Sequence, residues 1–234
     1  HDTRSVGKSF ASTLLGIAIK DKYIKSETQN LKEFYDLKSY QNYSKAKDSI
    51  TLKSLLTMSS TFEGSDMNSE SPGNEENMYP TKNWVDFTLN LPIDKTKHVN
   101  KQWDYFTAGV VVLGDIIHKS VPNGLEKYAQ KNLFEPLGIT KYKWQFTPQK
   151  IANTAGSLQL SSLDYAKFGQ LYLNEGKWNG KQIVSQDWVA KSLSHQMAIS
   201  DDEFYGYLFW NKTYTVDGLN YEVYYSSGNG GNRI

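Results

Sequence analysis

The chain contains no cysteine. Disulfide scaffolds and cysteine-ligated metal sites are therefore excluded, while either side of a membrane remains open. No apolar run approaches the roughly 18 residues needed to span a bilayer. Neither charge sign dominates, since 26 Lys and Arg meet 25 Asp and Glu for a formal net charge of +1. With no Lys/Arg block, a nucleic-acid partner has little electrostatic support. Histidine is sparse too. His1, His98, His118 and His195 are scattered without metal-ligand spacing, so neither a metal nor an organic cofactor is implied.

What is present is ordinary for a globular chain. The 234 residues are 38% hydrophobic and 22% charged, enough for one large domain or two small lobes with a substantial core. Aromatics reach 14%, with 16 Tyr and 6 Trp, which suits both a packed core and an aromatic-lined cleft. Residues 6 to 19, VGKSFASTLLGIAI, are apolar on nearly every face, the pattern of a helix buried on all sides. Phe106, Val110, Leu113 and Ile117 recur at helical spacing, as do Leu125, Tyr128, Ala129 and Leu133. Ser161 and Asp164 resemble a helix-capping pair, ahead of Phe168, Leu171 and Tyr172 on one face. Residues 63 to 83 are acidic and rich in Ser, Asn, Gly and Pro, a long loop of the kind that is often functional. The stretch 219 to 227, LNYEVYYSS, is β-rich and leads into Gly228-Asn229-Gly230-Gly231. No internal repeat or heptad seam is visible, and helices outnumber strands.

The first ten residues, HDTRSVGKSF, admit two readings. Gly7-Lys8-Ser9 could end a phosphate-binding loop. That motif needs a glycine five positions before Gly7, where the chain has Asp2, and a preceding strand, of which there is none. The alternative is Ser5-x-x-Lys8. At i, i+3 a hydroxyl and an amine share one helix face. Burial and the positive end of a helix dipole both disfavour an ammonium there, which suits a lysine to taking a serine proton. The same helix end offers N–H groups to an oxyanion. A second copy, Ser44 to Lys47, lies in a polar stretch and reads as solvated surface.

Context favours the second reading. HDTRSVGKSFASTLLGIAI, ITLKSLLTMSSTFE, WDYFTAGVVVLGDIIHKSVPNGLEKYAQKNLFEPLGI, NTAGSLQLSSLDYAKFGQLYLNEGKWNGKQIVSQDWV and SSGNGGN come in that order. Together they resemble the serine β-lactamase and penicillin-binding-protein superfamily. The likeness is to its class C-like branch of esterases, D-amino-peptidases and 6-aminohexanoate-dimer hydrolases. The resemblance implies an α+β, β-lactamase/transpeptidase-like fold with a helical lobe packed on an antiparallel sheet. It also implies a single catalytic domain over residues 1 to 234, truncated at both ends, with an incomplete sheet. A periplasmic or secreted location is implied by likeness only.

By the resemblance, Ser5 is the nucleophile, Lys8 the base or proton relay, and Tyr105 the tyrosine of the second motif, able to pass a proton to the leaving group. Two literal Tyr-x-Asn triplets, beginning at Tyr40 and Tyr172, sit outside the matching neighbourhood. The chain departs from the pattern at two positions. Thr107 replaces the usual Asn or Ser of the second motif. If Asn229-Gly230-Gly231 is the third motif, Asn229 replaces its usual Lys or His. The expected oxyanion hole pairs the N–H of Ser5 with one at Gly231 or Asn232, after Gly230. Arg233 is the one cation adjacent to that run. The implied activity is covalent acyl transfer on a small amide or ester substrate. A true β-lactamase or D,D-carboxypeptidase, and a non-catalytic scaffold, are the alternatives.

Overall fold

The computed structural model describes residues 2 to 234; His1 lies outside the described residues. Eight α-helices occur among them: α1 Gly7–Lys20, α2 Leu52–Leu56, α3 Glu75–Met78, α4 Trp84–Asn90, α5 Thr107–Ser120, α6 Gly124–Ala129, α7 Ser162–Leu173 and α8 Gln186–Leu193. Ten short strands accompany them: β1 Lys143–Trp144, β2 Leu158–Gln159, β3 Lys177–Trp178, β4 Lys181–Gln182, β5 Met197–Ala198, β6 Glu203–Tyr205, β7 Trp210–Val216, β8 Leu219–Tyr225, β9 Ser227–Gly228 and β10 Asn232–Arg233. None of the helices is long and apolar enough to cross a membrane.

The helical lobe is built around α1. Its residues from Gly7 to Ala18 are all buried, as the all-round apolar pattern requires. Phe10 stacks on Phe168 of α7 at 3.9 Å and meets the edge of Phe134 at 6.3 Å. Two polar residues of α1 find partners inside the core: Ser9 Oγ donates to the Leu208 carbonyl, and Thr13 Oγ1 lies 2.8 Å from the Tyr172 hydroxyl. Tyr172 is thus a core residue of α7. The second long helix, α5, packs along α1 and is buried from Thr107 to Ile117. Ser161 caps α7 by accepting the Asp164 N–H at 3.1 Å, as its sequence spacing predicts. After α6 the chain runs through a π-helical turn, Gln130–Phe134, and Gly138 at φ +65° closes the segment.

β5, β6, β7 and β8 form an antiparallel sheet in sequence order. β7 and β8 pair from Trp210↔Tyr225 to Val216↔Leu219 across Asp217-Gly218, both at positive φ. That is the two-residue turn whose twist matches a right-handed hairpin. β9 and β10 form a second small hairpin, closed by Gly230 and Gly231, each at φ +82°. Helices to one side and antiparallel strands to the other give the α+β arrangement that the resemblance implies.

One expectation is overturned. Lys47, read as solvated, is completely buried. Its turn, Lys45–Ser49, tucks beneath the chain so that Nζ donates to the Leu89 carbonyl at 2.7 Å and the Gln41 carbonyl at 3.1 Å. Burial with no acidic partner pushes its ammonium down to about 8. Ser44 Oγ, the other half of that Ser-x-x-Lys copy, has no hydrogen-bond partner among the described residues.

Candidate active site

Three segments converge at the start of α1. Ser5 sits on a 3-10 turn, Arg4–Val6, that runs directly into α1, and Lys8 is the second residue of the helix. Arg4, just before Ser5, holds φ at +48°, a left-handed conformation that is strained for a non-glycine residue and is found where a side chain must be aimed. The Arg4 N–H is tied to Asp2 Oδ1 at 2.8 Å and the Thr3 N–H to the Leu158 carbonyl at 2.8 Å. Lys8 Nζ lies 2.8 Å from Ser5 Oγ. It also donates to the Ala155 carbonyl at 2.7 Å, and the residue is 2% exposed.

The Ala155 carbonyl reaches Lys8 because Gly156 has no side chain. A Cβ there would stand 2.9 Å from the Arg4 carbonyl oxygen. Neighbouring bonds fix this segment: Ala155 N–H donates to Asn153 Oδ1, and Thr154 Oγ1 donates to the Val110 carbonyl of α5. The lysine is therefore oriented by α1, α5 and the chain entering β2 together.

Tyr105 joins from the turn before α5. Its ring centroid is 5.2 Å from Lys8 Nζ. The backbone on both sides of it is hydrogen-bonded. Asp104 N–H donates to the Met58 carbonyl at 2.8 Å and Phe106 N–H to Met58 Sδ at 3.1 Å. The Tyr105 carbonyl accepts the Asp66 N–H at 2.8 Å, and Thr107 N–H donates to Asp66 Oδ2 at 2.7 Å. Thr107 is buried, 1% exposed, at the first position of α5. Burial raises the Asp66 carboxyl above the usual range, against the opposing pull of its bonds to Thr107.

An aromatic wall extends from Tyr105. Trp210 stacks on Tyr105 at 6.1 Å and on Tyr225 at 6.3 Å, and Trp103 packs at 5.6 to 6.2 Å against Tyr105, Tyr205 and Trp210. Burial pushes the Tyr205 phenol far up, so Tyr205 stays neutral. At the far end the Arg233 guanidinium lies 5.3 Å from the Tyr225 ring centroid.

The glycine-rich hairpin packs against the turn that carries Ser5. Gly228 of β9 is the close contact: a Cβ there would stand 2.5 Å from the Thr3 carbonyl oxygen and 3.2 Å from Ser5 N. Gly230 and Gly231 instead make the hairpin turn, with no backbone of another segment within 4 Å of a Cβ at either position. Asn229 is exposed, and Asn232 lies on β10 with its Nδ2 donating to the Asn229 carbonyl at 3.0 Å. Ser226 of this run donates to Ser9 Oγ at 2.7 Å. The structure thus brings Ser5, Lys8 and Tyr105 together and packs both strands of the glycine-rich hairpin, β9 and β10, beside the turn that carries Ser5. Sequence reasoning missed Gly228, Trp103, Trp210 and Asp66. The overlapping Ser-Ser-Gly within SSGNGGN was the available signal for the first of them.

The Beta-lactamase family model matches residues 1–232, and the chain belongs to that family. No curated protein matches the chain. Among solved structures, the chain is similar to a protein of Bacillus anthracis assigned as a 6-aminohexanoate-dimer hydrolase. The TM-score is 0.74 and the identity 18%, with 98% of this chain and 62% of that one covered. It is also similar to an octameric penicillin-binding protein homologue from Pyrococcus abyssi (TM-score 0.72, 20% identity, 98% and 56% covered). A D-stereospecific amidohydrolase from a Streptomyces species gives TM-score 0.69, 15% identity, and coverage of 97% and 75%. These identities establish a shared fold. The chain spans less than two thirds of the first two of these proteins.

Proposed function

We propose that the protein is a serine hydrolase that cleaves a small amide or ester through a covalent acyl-enzyme. The observation that carries this is the 2.8 Å contact between Lys8 Nζ and Ser5 Oγ, with Nζ held from behind by the Ala155 carbonyl. The two contacts hold Nζ between the Ala155 carbonyl and the Ser5 hydroxyl, in line to exchange a proton with Oγ. Proton transfer from Oγ to Nζ then accompanies attack of Oγ on the substrate carbonyl carbon. The tetrahedral oxyanion is stabilised by N–H groups, for which the Ser5 N–H and one from the β9–β10 hairpin packed beside it are the candidates. Ser226 exchanges both backbone hydrogen bonds with Ile234, so the N–H of Ser227, one residue on, turns away from β10. The C–O or C–N bond breaks as the leaving group takes a proton from the Lys8–Tyr105 pair. Water, deprotonated by the same pair, releases the acid.

The rings of Trp103 and Trp210 beside Tyr105 and the neutral Asn229 in the third-motif run favour esters and linear amides over β-lactams. The cleavage of linear or D-amide substrates suggested by the names of the structural neighbours agrees with that choice. In the full-length protein, a p-nitrophenyl ester should give a burst of p-nitrophenol equal to the enzyme concentration, followed by slower turnover. Turnover unchanged in Ser5→Ala would remove Ser5 from the reaction.

A further inference from the structure

Asp66 lies in the acidic loop, 41 positions from Thr107 along the chain, yet it grips the backbone on both sides of Tyr105. Its N–H donates to the Tyr105 carbonyl at 2.8 Å, and its Oδ2 accepts the Thr107 N–H at 2.7 Å. Its other oxygen, Oδ1, accepts the Glu75 N–H at 2.8 Å, at the first residue of α3. One carboxylate therefore caps two helices whose N–H groups would otherwise lack acceptors. The 14-residue α5 has no side-chain cap from its own N-cap residue, Phe106. Asp66 supplies what Phe106 cannot, and the negative charge is favoured at that end of the helix dipole.

The consequence for Tyr105 is geometric. Four successive backbone groups around it are bonded to two residues, Met58 and Asp66. Met58 is itself at φ +52°, so its side of the cradle is held in a less populated conformation. The Asp66 side is the charged one, where the bonds are stronger. The Tyr105 ring has no comparable tether of its own. Its packing on Trp103 and Trp210 leaves the ring position dependent on where the backbone of residues 105 to 107 is held.

We propose that Asp66 is a positioning residue for Tyr105, fixing the phenol against Lys8 through the backbone bonds to residues 105 and 107. The proposal rests on the part given to Tyr105 above. It makes the acidic loop a component of the active centre.

The test uses the full-length protein and p-nitrophenyl acetate, with Asp66→Ala, Asp66→Asn, Tyr105→Phe and the Asp66→Ala/Tyr105→Phe double variant. Misplacement of a reacting group by about 1 Å costs about 10²-fold, so Asp66→Ala should lose about that factor in kcat. KM should stay within about 2-fold, since ground-state binding is untouched. Asp66→Asn keeps one acceptor oxygen and should lose less. On the Tyr105→Phe background, adding Asp66→Ala should cost less than about 3-fold, because the two residues act as a unit. An Asp66→Ala loss of equal size on both backgrounds overturns the positioning role, as does an Asp66→Ala variant with full kcat. Full kcat in Tyr105→Phe alone overturns the role of Tyr105 and, with it, the positioning by Asp66. If circular dichroism shows Asp66→Ala to be unfolded, the same double-variant comparison is read from Asp66→Asn.

Discussion

Lys8 Nζ stands 2.8 Å from Ser5 Oγ, one turn apart where a 3-10 turn passes into α1. A lysine in that position can act as a proton acceptor or as a fixed positive charge. The two differ in what replaces it. Lys8→Arg keeps a cation and several donors, yet a guanidinium does not give up its proton in a protein. If Lys8 accepts the Ser5 proton, Lys8→Arg should be as inactive as Lys8→Ala, both down by about 10²- to 10⁴-fold in kcat. Retention of most activity in Lys8→Arg, measured with a p-nitrophenyl ester, would reduce Lys8 to a charge.

Substrate preference follows from where the cations are. A β-lactam carries a carboxylate, and a charge-assisted hydrogen bond to it contributes roughly 1.5 to 3 kcal/mol. Asn229 offers a neutral amide, and Arg233 is on β10 against Tyr225. We expect kcat/KM for nitrocefin to fall below that for a p-nitrophenyl ester and for an oligomeric linear amide. A nitrocefin value above both, lost in Arg233→Ala, would show that Arg233 grips the carboxylate.

The core makes its own prediction at Gly16. A Cβ there would stand 2.4 to 2.5 Å from three atoms of the Trp188 ring, and Trp188 is buried. Gly16→Ala gains helix propensity but forces the indole to move, an overpacking cost of about 1 to 3 kcal/mol. For a chain of this size that is roughly 2 to 10 °C in Tm. Unchanged Tm by calorimetry would mean that the α1–α8 contact gives way freely.

Lys47 predicts a pH dependence. Its folded value of about 8 lies below the ordinary 10.5, so between these values the unfolded chain binds more protons than the folded one. Stability from this group therefore rises with pH through that window, and below it the folded state carries the cost of a buried charge. The stability of the native protein relative to Lys47→Met, from urea unfolding, should improve between about pH 7.5 and about pH 10. A constant difference across that range would mean that Lys47 is charged or neutral in both states alike.

Which of these features could be read from the sequence depends on how local they are. Ser5, Lys8 and the buried helix behind them are a local pattern, so their meeting was legible. Tyr105 was legible only through the likeness of its surrounding block to the family's second motif. The close approach of Gly228 to the Thr3 carbonyl and Ser5 N was not, because packing between the two ends of the chain makes it. Lys47 sits in a stretch of polar residues, and its burial is decided by Leu89 and Gln41 outside its own turn. Asp66 was visible as one acid in a polar loop, while its partners lie 9 and 41 positions away.

The central claim is that Ser5 carries the acyl group. The most direct measurement is mass spectrometry of the full-length protein after brief exposure to a fluorophosphonate probe or an activated ester, followed by peptide mapping. The account predicts a single stoichiometric adduct on the peptide containing Ser5, absent in Ser5→Ala and formed far more slowly in Lys8→Ala. An adduct on another residue that persists at full yield in Ser5→Ala would contradict it.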